Sequence, residues 1–196
     1  MKTIILSASL LLGAFITPTA AVAQAAPGAI VVVVDSERIY RECTACRAAQ
    51  TALQGQVNGL QARQKTLTDQ IRPEGQSIQA AINALAGKAP DAALKALVEA
   101  FQKKQESANQ ELQRSQQNIQ SIQANVLRQI NERLKPVISQ VMTARGANIA
   151  VDVDATLARS QSLDVTTDVL AALNRALPSV SATPLPANQQ QAPQGR

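Results

Sequence analysis

The spacing of apolar residues changes three times along the chain. Ile4 to Ile16 is a predominantly apolar stretch of 13 residues, preceded by Lys2, broken by Pro18 and followed by Ala21-Val22-Ala23. This is the layout of a cleavable export signal, expected over residues 1–23, with the cut after Ala23 or Ala25. A membrane span would need about 20 apolar residues. Ala29 to Val34 is then a mostly β-branched run ending at Asp35, apolar on both faces, which predicts a buried strand.

From Ile39 to Met142 the period becomes helical. Set in heptads, Ile39, Cys43, Cys46, Gln50, Leu53, Val57, Leu60, Gln64, Leu67, Ile71, Glu74, Ile78, Ala81 and Leu85 form one stripe, apolar at 11 of its 14 positions. The stripe breaks at Ala86-Gly87-Lys88-Ala89-Pro90, a helix stop, and Asp91 can cap a new start. A second stripe runs Leu94, Val98, Phe101, Gln105, Ala108, Leu112, Ser115, Ile119, Ile122, Val126, and less strictly on through Val141. Two helices of 46 residues each, Tyr40–Leu85 and Asp91–Pro136, joined by a short turn must fold back antiparallel. Each would be about 70 Å long at a rise of 1.5 Å per residue. Pro73, with Gly75 beside it, predicts a bend in the first.

Short strands return after the helices: Asn148–Val153, and a weaker one at Leu157–Ser160. An amphipathic helix follows, with Thr166 as its N-cap, Asp168 in its first turn, Val169, Leu170, Leu173 and Leu177 on one face, and Pro178 as its stop. Residues 179–196 are Pro, Gln, Ala and Ser and predict a disordered tail. The fold class is therefore α+β, mostly α. A long antiparallel coiled-coil hairpin (41–136) projects from a small β-rich body (28–40 and 137–178). So small a sheet cannot cover its own faces and edges, so the body should oligomerise.

Composition narrows the chemistry. The chain has 35 alanines, 24 glutamines and only 2% aromatic residues, a mixture for long helices rather than for a large globular core. Histidine is absent, which removes Ser-His-Asp and Cys-His catalysis and the commonest metal ligand. No phosphate-binding loop or clustered carboxylate pair is present, so the chain does not read as an enzyme, and no cofactor or metal is expected. Asp152 and Asp154 fit a strand-end turn. The net charge of +5 resides on the arms, where 13 Lys/Arg face 8 Asp/Glu between Tyr40 and Pro136. Nucleic acid is a poor partner for an exported chain with interspersed acids and no aromatic stacking platform.

Cys43-Thr44-Ala45-Cys46 leaves several readings open. An oxidising compartment favours a local disulfide between Cys43 and Cys46. Packed free thiols suit their position on the stripe. A redox or metal role would need surroundings or further ligands that the sequence does not supply.

The order of these parts resembles the Skp/OmpH family of periplasmic chaperones. The resemblance rests on Ile30-Val31-Val32-Val33-Val34-Asp35, on Ser36-Glu37-Arg38-Ile39-Tyr40 leading into a long helix, and on Gly146 to Asp152. Its most specific part is the closing run Leu163-Asp164-Val165-Thr166-Thr167-Asp168-Val169-Leu170-Ala171-Ala172-Leu173-Asn174. The resemblance implies a homotrimer in which three hairpins surround a cavity. It also implies a periplasmic, ATP-independent holdase that keeps unfolded outer-membrane β-barrel proteins from aggregating. The arms here are less basic than in the best-known members, and the Cys pair and long tail are departures. On the arms, Arg63, Lys65, Lys88, Lys95, Lys103 and Lys104 are the candidates for first contact with acidic clients or anionic lipid headgroups. Each could instead belong to a solvated face, in pairs such as Lys95–Glu99 and Glu99–Lys103. A structural coiled-coil adaptor of the cell envelope is the alternative, although the tip from Ala86 to Asp91 offers it no obvious docking motif.

Overall fold

β1 (Val31–Val34) lies parallel to β2 (Ile149–Asp152), with Val31 opposite Ile149 and Val34 opposite Asp152. Parallel neighbours require a crossover. Here the crossover is the long helical excursion itself: α1 (Ser36–Glu42), α2 (Thr44–Ala84) and α3 (Ala92–Ala144). Short 3-10 turns at Val153–Ala155 and Gln161–Leu163 then lead to α4 (Thr166–Ala176). This computed structural model describes residues 28–185. The expected signal (1–23) and the distal tail (186–196) lie outside the described residues.

One cross-contact series fixes the direction of the long helices. Tyr40 Oη donates to Asn131 Oδ1 at 2.5 Å, Arg63 pairs with Glu111, and Lys104 pairs with Glu74. Numbers rise on one helix as they fall on the other, so α2 and α3 are antiparallel. The expected stripes are the less exposed positions of both helices, apart from Gln50, Gln64 and Gln105. The turn between them uses positive φ at Ala86 (47°) and Gly87 (89°), and Asp91 Oδ1 accepts from Leu94 N at 2.8 Å to start α3.

The core lies at the other end. Val32 and Val34 of β1, Ile39 of α1, Ala45, Cys46 and Ala49 of α2, and Val169 and Leu173 of α4 form one core with Ile122, Val126, Ile130, Leu134 and Val137 of α3. α3 therefore belongs to both arm and body, and it runs eight residues past Pro136 to Ala144.

Local sequence explains the joints. Asp35 caps α1 by accepting from Arg38 N at 2.7 Å. Gly146, at φ 66°, ends α3 in the left-handed conformation, with Ala147 N returning to Met142 O at 3.0 Å. Asn148 sets the strand register: its Oδ1 accepts from Ile30 N and its Nδ2 donates to Gly28 O. Asp152 Oδ1 accepts from Asp154 N at 3.1 Å, closing a strand-end turn.

The closing run fastens the body. Val165 N donates to Val33 O at 2.9 Å. The Thr166 hydroxyl accepts from Asp35 N, and Asn174 Oδ1 accepts from Thr44 N at the start of α2. Asp168 in the first turn of α4 pairs with Arg145 at the end of α3.

Several expectations are corrected. The first long helix is not continuous from Tyr40: Cys43 turns extended (ψ 140°) and separates α1 from α2. The Cys43–Cys46 disulfide lies at this joint, its sulfurs buried in the core, and Cys43 Sγ accepts from Cys46 N at 3.0 Å. Leu157–Ser160 is not a strand; the chain bridges β1 through Asp164 opposite Val33 instead. Thr166 is the first residue of α4 rather than its cap, and Thr166 N is satisfied by Asp164 Oδ1 at 2.9 Å. A Cβ on Gly75 would stand 2.9 Å from Phe101 Cζ, so the glycine gives the ring of the opposite helix its place. Finally, residues 179–185, expected to be disordered, lie along α3, where Val180 and Ala182 pack against the core.

Two predictions follow from these joints. Replacing Cys43 and Cys46 with Ala should lower stability by about 2 kcal/mol, the loop-closure effect of so short a bridge, measured by urea unfolding. Hydrogen bonding from the Thr166 side chain, then from its backbone N–H, holds the Asp164 carboxyl below its ordinary range, despite partial burial and with help from Arg159. A lowered folded pKa adds stability above the unfolded value of about 3.9, and that stability is lost as pH falls through the folded value. Acid unfolding followed by circular dichroism should therefore be less steep in Asp164→Asn than in the parent.

Candidate functional site

The structure separates the six candidate cations of the arms into two sets. Three are engaged within the chain. Arg63 makes a two-pronged bond to Glu111 across the helix pair, Nε to Oε1 at 2.5 Å and Nη2 to Oε2 at 2.9 Å. Lys104 reaches Glu74 Oε2 at 2.5 Å, also across the pair. Lys65 bonds Asp69 at 2.6 Å one turn on, and Asp69 also takes Arg72. The bond from Arg63 keeps the Glu111 carboxyl below its ordinary range, and the bond from Lys65 does the same for Asp69. These pairs are solvent-exposed and contribute little stability. The two cross-helix pairs do set how α2 faces α3.

Lys88, Lys95 and Lys103 make no ion pair among the described residues, and the Lys95–Glu99 and Glu99–Lys103 pairs are not formed. Lys88 and Lys95 border a groove of about 590 Å³ at the tip. Its floor is apolar: Leu85, Leu94 and Val98, with Ile82 42% exposed at the edge. Sequence reasoning missed this groove because it treated the turn from Ala86 to Asp91 as the whole tip. The signal was present in the stripe positions Leu85, Leu94 and Val98, which flank the turn.

The arm surface is otherwise wet. Between the core and the tip the buried apolar residues are Leu67, Ile78 and Ala108. The outward faces carry amides and hydroxyls that bond within their own helix, such as Gln54 to Asn58 and Gln79 to Asn83. Such faces offer many weak polar contacts and no reactive centre. No cluster of residues suited to a metal occurs among the described residues, and no described helix is long and apolar enough to cross a membrane.

A second unfinished surface lies on the body. β1 has a neighbour on each side, β2 and the bridge at Asp164. Among the described residues β2 has one, so its outer edge carries strand positions that no described residue pairs. Around it Ile30 is 56% exposed, Ile149 42% and Leu163 37%, and Leu157 is fully exposed.

Comparison with known proteins accords with this architecture. The model of the family described as "Outer membrane protein (OmpH-like)" matches residues 30–173. No curated protein matches the chain. Among solved structures, a crystal structure from Caulobacter crescentus CB15, described as an OmpH-like outer membrane chaperone, superposes with a TM-score of 0.68. The two chains are 17% identical, and the match covers 84% of this chain and 96% of the other, a likeness of fold. The family match takes in both strands, the whole helical excursion and α4 to Leu173, and on that ground the chain belongs to the OmpH-like outer membrane protein family.

Proposed function

We propose that this protein is an ATP-independent periplasmic holdase. It assembles as a homotrimer and keeps unfolded outer-membrane β-barrel proteins from aggregating in a cavity between its helical arms. Membership of the OmpH-like family supports a chaperone role. The observation that carries the finer reading is the contrast between the two ends of α3. Its C-terminal half packs on α4, β2 and the start of α2 and shares the core of the body, while its N-terminal half runs outward on one partner helix with a thin seam and polar outer faces. An arm of that kind can touch an unfolded chain at many points without burying it. Several such arms around one space turn weak contacts into useful retention without freezing the client.

The trimer rests on the open edge of β2 and the exposed Ile30, Ile149 and Leu163, which a monomer would leave in water. The charge of the arms would assist encounter rather than dominate it. Lys88, Lys95 and Lys103, which make no ion pair among the described residues, lie toward the tip, where acidic clients or anionic headgroups would meet them first. The apolar groove between Lys88 and Lys95 would hold a hydrophobic residue once it arrives. Export by the N-terminal signal would bring the protein to the compartment through which such clients pass.

Light scattering on the mature protein should give the mass of three chains; a monodisperse monomer at micromolar concentration would overturn the assembly. Deleting Gln61 to Leu112 removes the outer parts of both helices together. It should abolish protection of a β-barrel protein diluted from denaturant while leaving the oligomer intact. An arm-deleted oligomer that protects as well as the parent would instead favour an adaptor role.

A further inference from the structure

Below the charged part of the arm, the chain's own C-terminal segment lies extended on α3. Gln129 grips Ser181 at both ends of its amide: Oε1 accepts from Ser181 N and Nε2 donates to Ser181 O, each at 3.0 Å. The same Nε2 also reaches Asn125 O at 3.2 Å. One helical turn on, Asn125 Nδ2 donates to Thr183 O at 2.8 Å, while its Oδ1 accepts from Arg128. A further turn on, Ser121 Oγ accepts from Leu185 N at 3.0 Å. The register is geometric. Two extended residues advance about 6.7 Å and four helical residues about 6.0 Å, so steps of two on the segment keep pace with steps of four on α3.

The chemistry of these bonds is selective in an unusual way. All of them run from helix side chains to the main chain of the segment, so none reads a side chain of it. Side-chain selection is left to alternate positions over residues 180–183, where Val180 and Ala182 turn inward against the core while Ser181 and Thr183 face solvent; Pro184 then stays exposed and Leu185 is half-buried. Along Val180–Thr183 the surface thus takes an extended backbone with an apolar residue at every second position. That is the sequence pattern of a transmembrane β-strand.

We propose that the Ser121–Asn125–Gln129 ladder is a binding site for extended polypeptide with alternating apolar residues, and that residues 180–185 occupy it as a built-in competitor. This rests on the holdase reading and names the part of the client that is recognised. The segment is tethered directly to α4, so its effective concentration at the ladder is on the order of millimolar. A few exposed or part-buried hydrogen bonds are then enough to keep the site closed, and a client strand opens it by taking the same bonds. Unlike the arm, which touches clients through exposed polar faces, the ladder holds one strand in one register beside the body.

The test uses the full chain. Ser181→Pro with Leu185→Pro removes two of the main-chain donors and should release the segment. The probe is a fluorescein-labelled synthetic peptide alternating valine and threonine, read by anisotropy. The released variant should bind it at least about tenfold more tightly than the parent, as expected when a tethered competitor is removed. Adding Gln129→Ala should cancel the gain, and a peptide of the same composition with its valines in one block should bind neither protein well. Equal affinity of parent and released variant, or a gain that survives Gln129→Ala, overturns the proposal. A second measurement needs no variant. Saturating peptide should speed amide hydrogen exchange at Ser181 and Leu185 in the parent, and unchanged exchange overturns the proposal as well. If the peptide behaves as described but the protein fails to protect an unfolded β-barrel, the holdase reading falls and the site stands.

Discussion

The apolar stripe Ile122–Val126–Ile130–Leu134–Val137 on α3 is the contact on which the rest of the molecule depends. The start of α2 and α4 pack directly against α3, while α1 rests on α2 and α4 and β1 on α4, so that all of them share one core. A two-stranded sheet is marginal by itself, and α1 has only 7 residues. Because α3 continues without interruption from this stripe to the tip, the body also fixes the direction of the arm. The disulfide lies at the only other link between body and arm among the described residues, the joint between α1 and α2.

Beyond that stripe the physics changes. A helix pair on a single seam buries few residues per turn, and here Leu67, Ile78 and Ala108 are the ones removed from water. Polar cross-links, Arg63–Glu111 and Lys104–Glu74, align the pair where apolar contact is scarce. Gly75 admits the Phe101 ring at the same level. Such an arm has little stability of its own and much exposed surface. That suits repeated weak contact with an unfolded chain and argues against a rigid docking role.

Much of this was legible in the order of residues. Both strands, the turn at Ala86–Asp91, the cap at Asp91 and the helix facing inward through Val169 and Leu173 follow from period and turn chemistry. What escaped was governed by contacts between distant segments. The break at Cys43 falls on an apolar heptad position, so periodicity runs straight across it; the covalent bridge and the bond from Thr44 N to Asn174 Oδ1 mark the joint. Thr166 has the composition of a cap, but Asp164 and Asp35 claim its groups first. The segment after Pro178 has the composition of a disordered tail, and its place on α3 comes from polar side chains spaced four apart, which a hydrophobic pattern does not register. Of the six candidate cations, three were already committed to acids in space, two of them on the opposite helix, a pairing that sequence spacing cannot show.

The central claim is that clients are held by the arms. A photo-crosslinking residue at Leu97, 43% exposed near the tip, and another at Arg175 on the outer side of α4 would test it directly when each is irradiated with an unfolded β-barrel protein. The account predicts strong crosslinks from Leu97 and few from Arg175. Crosslinks from Arg175 alone would contradict it.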